Sequence, residues 1–138
     1  METPDECFIT YIPAENVAKI EKPSAIISIK GKYNDRPDIP EMHVVHKLDF
    51  DVGSWAVECD AGLRPEQIDP LIEFVNAHPD KDVYVHCTEG RIRSYTIAQL
   101  LYRKVDRYVE VMELTGPGRV MDRSTQRTWM EHFNSKVT

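Results

Sequence analysis

The feature that most constrains this chain is a short apolar run, Asp82-Val83-Tyr84-Val85, that ends at His86-Cys87 and gives way to a turn before a helical pattern begins. β-Branched and aromatic side chains in so short a run fit a buried strand. Further on, Ile97, Ala98, Leu100, Leu101 and Val105 recur at helical spacing. The residues between, His86-Cys87-Thr88-Glu89-Gly90-Arg91-Ile92-Arg93-Ser94, must turn from strand to helix. Such a turn aims backbone N–H groups at one centre, which suits an anion.

The rest of the chain repeats this alternation. Residues 8–12 read as an opening strand and 14–20 as a short helix. Residues 24–30 form a strong strand stopped by Gly31, and 33–40, polar with two prolines, must be loop. Residues 43–50 alternate as the next strand. Pro65 opens a helix carrying Ile68, Leu71, Ile72 and Val75 on one face, which stops by His78-Pro79-Asp80. Residues 105–114 fit either a continued helix or another element. Thr115-Gly116-Pro117-Gly118 is a turn, and a last helix over 122–133 is expected to bury Trp129, Met130 and Phe133. The expected fold is a single α/β domain over residues 1–138, a mostly parallel central sheet flanked by helices. Active loops in such sheets sit at the carboxyl ends of strands.

Composition narrows the function classes. No apolar run approaches the roughly 20 residues a membrane helix needs. Residues 1–6 are acidic and lack the apolar core of a signal peptide. Cys7, Cys59 and Cys87 are too widely and irregularly spaced for a disulfide framework or a zinc site. A reducing, cytoplasmic location is therefore the expectation. A net charge of −6 argues against general nucleic-acid binding. The charge is uneven, since residues 1–90 hold 8 Lys and Arg against 18 Asp and Glu, and residues 91–138 hold 9 against 5. Arg91, Arg119, Arg123 and Arg127 either cover a solvated surface or ring a site that attracts an anion.

The residue types of the turn have a common chemistry. A cysteine attacks as thiolate, and a helix N-terminus with a fixed positive charge lowers its pKa. Arg93 offers a planar fork for two phosphate oxygens. Gly90 lets the loop curl, and Ser94 can hydrogen-bond the sulfur and ease its departure. The segment resembles the His-Cys-(x)5-Arg-Ser/Thr signature of the cysteine-dependent protein tyrosine phosphatase superfamily, dual-specificity branch. Rhodanese-like domains also place cysteine and arginine at such a spacing, but usually without the glycine.

That resemblance implies a metal-free phosphatase working through a phosphocysteine. Cys87 would be the nucleophile, with Arg93 and the loop of Thr88, Glu89, Gly90, Arg91, Ile92 and Ser94 holding the phosphate. Phosphotyrosine or mixed phosphoprotein substrates are implied first. An RNA 5′-phosphatase, a phosphoinositide phosphatase and a catalytically weak phosphate-binding module are the alternatives. No cofactor is implied, and His43 and His46 lack the companions a metal site needs. The family also carries an aspartic acid that protonates the leaving oxygen and then activates water. Asp51, at a strand end before Gly53, is the preferred counterpart. Asp60, followed by Ala61-Gly62 and Pro65, is the alternative, and Asp49 should face the other way.

The chain departs from the family at Glu89, where alanine is usual. Its carboxylate is expected to point outward and pair with Arg91 or another arginine. His86 and Cys87 should face opposite sides of their strand, so His86 is expected to order the loop and tune the thiol without acting as its base. Gln126 reads as a surface helix residue or as a water-positioning one. The chain is short by that family's standard, which implies a shallow site.

Overall fold

The computed structural model describes residues 7–31, 36–51, 62–87, 92–102, 104, 109–113 and 122–137. Strand β1 (Cys7–Pro13) leads into a 3-10 helix, Ala14–Lys19, and then β2 (Ala25–Lys30) and β3 (Val44–Asp49). A 3-10 turn, Pro65–Gln67, precedes helix α1 (Ile68–Asn76). Strand β4 (Val83–Cys87), helix α2 (Arg93–Tyr102), strand β5 (Val109–Glu113) and helix α3 (Arg123–Val137) complete the order.

The five strands form one sheet in the order β3-β2-β4-β1-β5, every neighbouring pair parallel. Strand β4 is central, between β2 and β1, and its last residue Cys87 is level with Pro13. The chain passes from β1 to β2 in one direction across the sheet and from β4 to β5 in the other. The carboxyl end of β4 therefore lies where α/β sheets open a crevice.

Period-two alternation divides the core. Ile9, Tyr11, Ala25, Ile27, Ile29, Val83, Val85 and Cys87 are buried on one face, packed with residues of α1, α2 and α3. Ile12, Ile26 and half-buried Tyr84 belong to the other, where Val17, Ile20 and Ile39 cover them. Helix α2 is anchored to β1 by Tyr95, whose ring meets Tyr11 edge-on at 5.0 Å between centroids. In α3, Trp129 is buried and tilts against Phe133 at 5.6 Å.

Two expectations change, and one left open is decided. Met130 is 51% exposed, because Trp129 and Phe133 share the inward face and Met130 lies about 100° around the helix from Trp129. Pro65 opens a 3-10 turn and the α-helix starts only at Ile68. Pro70 lacks the N–H that would bond back across the first turn, so helical hydrogen bonding cannot run through unbroken from Pro65. Within 105–114, residues 109–113 are a strand paired with β1. The turn at 115–118 lies outside the described residues. None of the helices among the described residues is long and apolar enough to cross a membrane.

Candidate active site

Cys87 closes β4 on the helix-bearing face and is 2% exposed. Helix α2 begins six residues later with Arg93 and Ser94. Ile92, just before it, is exposed, while its carbonyl accepts the Thr96 N–H at 2.9 Å. Thr88, Glu89, Gly90 and Arg91, and with them the orientation of Glu89, lie outside the described residues. Ser94 is fully buried, and its hydroxyl oxygen lies 3.2 Å from Cys87 Sγ. A thiol donates across that gap, whereas a thiolate accepts from the hydroxyl.

Asp51 reaches the same place from the other side. Parallel pairing sets Lys30 level with Asp49 and continues through the Phe50 N–H, which donates to the Lys30 carbonyl at 3.1 Å. Asp51 therefore emerges beside Gly31. Its Oδ1 lies 3.8 Å from Arg93 Nη1, with side chains 18% and 12% exposed respectively. A Cβ on Gly31 would collide with Asp51 Oδ1 and stand 2.8 Å from Arg93 Nη1. The missing side chain of Gly31 is the space in which this pair meets. Asp60 lies outside the described residues.

The end of β3 is fastened to the start of α1. Gln67 Nε2 donates to the Asp49 carbonyl at 3.0 Å, and its Oε1 accepts the Arg64 N–H at 2.8 Å. Three more hydrogen bonds hold the start of α3. The Asp122 N–H donates to Thr96 Oγ1 at 2.9 Å, while Asp122 Oδ2 accepts from the Thr125 N–H and hydroxyl at 2.9 and 2.6 Å. Asp122 thus caps α3 and ties it to α2 one turn beyond the site. Arg123 and Arg127 are exposed on α3, and Gln126 is half-buried there; Arg91 and Arg119 lie outside the described residues.

His86 faces away from the sulfur, as strand alternation requires. Its Nε2 lies 2.6 Å from Ser28 Oγ on the neighbouring strand, and its Nδ1 lies 3.4 Å from the Cys87 carbonyl oxygen. Burial lowers its pKa to about 4, with the Arg36 and Arg93 charges pushing the same way and the Cys87 backbone contact opposing. It is neutral at physiological pH and turned away from the thiol, so it does not serve as base for Cys87. Asp49 lies on that face too, paired with Arg36. Burial also lowers the pKa of His43 and His46. His43 Nδ1 accepts the Ser24 N–H at 3.0 Å, whereas His46 packs on Phe74. Among the described residues no three of His, Cys, Asp and Glu gather as a metal site would require.

The described site thus holds a buried cysteine beside a hydroxyl at the carboxyl end of the central strand, and a guanidinium paired with a carboxylate where α2 begins. Sequence reasoning named these four but missed Gly31, Gln67 and Thr96, whose roles depend on segments far apart in the chain. Cys7 begins β1 while Cys87 is level with its last residue Pro13, six residues or about 20 Å along the strand, too far for a disulfide. No family model matches the chain, and neither a search of curated proteins nor one of solved structures finds a match.

Proposed function

We propose that this chain is a metal-free phosphatase that hydrolyses phosphomonoesters through a phosphocysteine, with phosphotyrosine or mixed phosphoproteins as substrates. Support comes chiefly from one observation: Ser94 lies against Cys87 at the carboxyl end of β4, and its chain neighbour Arg93, which opens α2, meets Asp51.

In this reading the Cys87 thiolate attacks phosphorus in line with the departing oxygen, forming an S–P bond as the P–O bond breaks. Arg93 binds two of the phosphoryl oxygens and favours the charge that spreads over them. Asp51 gives its proton to the leaving oxygen. The resulting carboxylate then takes a proton from water, which attacks phosphorus and releases Cys87 as thiolate. Ser94 donates to the sulfur during that release, from 3.2 Å. Arg93 exchanges Asp51 for the phosphate when substrate enters, and Asp51 then faces the leaving group.

The same contact favours one rival. A carboxylate held at Arg93 is not at a leaving oxygen, as expected of a phosphate-binding module with weak turnover. Hydrolysis of an aryl phosphate in the presence of a chelator separates the two. The phosphatase reading expects turnover in the wild type, its loss in Cys87→Ser, and a greater loss in Asp51→Asn than in Asp60→Asn. Tight oxyanion binding without turnover would support the binding module.

A further inference from the structure

On the face of the sheet turned away from Cys87 Sγ, four polar side chains form one continuous chain that ends at the Cys87 main chain. Arg36 Nη2 contacts Asp49 Oδ1 and donates to the Ser28 carbonyl at 3.0 Å, while Arg36 Nε donates to Ser28 Oγ at 2.7 Å. Ser28 Oγ lies 2.6 Å from His86 Nε2, and His86 Nδ1 lies 3.4 Å from the Cys87 carbonyl oxygen. Strand register sets Ser28 directly beside His86. Ser28 and His86 are fully buried, and the Arg36 side chain is 17% exposed.

The two ends fix the polarity of this chain. A carbonyl oxygen accepts and never donates, so the proton is on His86 Nδ1. A guanidinium donates and never accepts, so Ser28 Oγ is the acceptor for Arg36. The single hydroxyl proton of Ser28 is then directed at His86 Nε2, which must be the bare nitrogen. The Ser28 hydroxyl proton and the His86 ring proton then each meet an acceptor, with a neutral ring in one tautomer. A protonated ring would have to donate from both nitrogens and would stand against the charge of Arg36. The charged groups acting on the ring are Arg36 from the loop after β2 and Arg93 from α2, with Asp49 of β3 beyond Arg36. From β1 the register neighbour is apolar Ile12.

We infer that Arg36 is a positioning residue for Cys87, fixing through Ser28 the tautomer and plane of His86 and thereby the main chain that carries the sulfur. It touches no substrate and acts through two intervening side chains. This deepens the phosphatase reading and rests on it for its purpose, but its test requires no turnover.

The test compares reduced, full-length wild type with Arg36→Met and Ser28→Ala, using two readouts. Nitrogen-15 shifts of the His86 imidazole report its tautomer and titration. Thiolate ultraviolet absorbance, taken as a difference from Cys87→Ser, reports ionisation of the sulfur. The wild type is expected to show the Nδ1–H tautomer, with no titration near neutral pH. Both variants are expected to mix tautomers and to move the Cys87 midpoint by about one pH unit. In the double variant the shift should match that of either single one, because both break one chain.

Thermal melting identifies any variant that fails to fold, and Ser28→Ala, which removes only one oxygen, keeps the test open if Arg36→Met does not fold. An Nε2–H tautomer in the wild type would overturn the inference. So would folded variants whose His86 spectrum and Cys87 midpoint match the wild type. Shifts as expected in a protein that hydrolyses no phosphoester would uphold the role of Arg36 and remove the phosphatase reading.

Discussion

Asp51 and Arg93 meet at 3.8 Å across a space that exists because residue 31 has no side chain. One partner follows β3 and the other starts α2, so Gly31 at the end of β2 governs how the two halves of the site approach. Gly31→Ala should force them apart. We expect kcat/KM to fall at least about tenfold, with roughly 1–3 kcal/mol lost in stability from overpacking. Steady-state kinetics beside urea denaturation would measure both. Unchanged kinetics would show that the Asp51–Arg93 approach is unimportant to activity.

Ser94 is placed to act after the first chemical step. Removing its hydroxyl should slow release of the sulfur more than attack by it. In Ser94→Ala, rapid mixing with an aryl phosphate should give a burst of alcohol product followed by a slower steady state. The lost hydrogen bond should cost stability only about 1 kcal/mol. A uniform slowing of both phases would place Ser94 outside the second step.

Acid should destabilise the fold through its buried histidines. The folded-state pKa of His86, about 4, lies below its unfolded value near 6.5. A depressed histidine contributes stability that is fully present above pH 6.5. That contribution falls as the unfolded chain takes up protons, and it is exhausted near pH 4. On the order of 3 kcal/mol should vanish across this window. His43 and His46, both lowered by burial, act with the same sign. Urea midpoints measured from pH 7.5 to 4 in wild type and His86→Asn check this, the variant showing the shallower dependence.

Much of this was legible in the sequence, because strand and helix periodicities are local. The opposite orientations of His86 and Cys87 follow from a period of two, and the strand-to-helix turn follows from an apolar run abutting a helical pattern. What stayed hidden depends on distance in the chain. Arg36 finds Ser28 and Asp49 across 8 and 13 residues, and no spacing rule announces such a pairing. Gly31 reads as the end of a strand, and the need for space there arises only once Asp51 and Arg93 stand beside it. Residues 109–113 mix valine, methionine and glutamate in a pattern that suits helix or strand, and pairing with β1 decides between them.

The anchoring of α3 gives a prediction about architecture. Asp122→Ala removes the acceptor for the Thr125 N–H and hydroxyl and should cost about 1 kcal/mol. Denaturant unfolding would measure it. Because the Asp122 N–H still donates to Thr96, the Cys87 thiol should titrate as in the wild type.

The central claim is that Cys87 itself carries the phosphoryl group. The most direct measurement is acid quenching during turnover of an aryl phosphate, followed by mass analysis of the peptides. The account predicts one phosphate on the peptide containing Cys87, more of it in Ser94→Ala, and none in Cys87→Ser. Hydrolysis that persists in Cys87→Ser, or phosphate found on another residue, would contradict it.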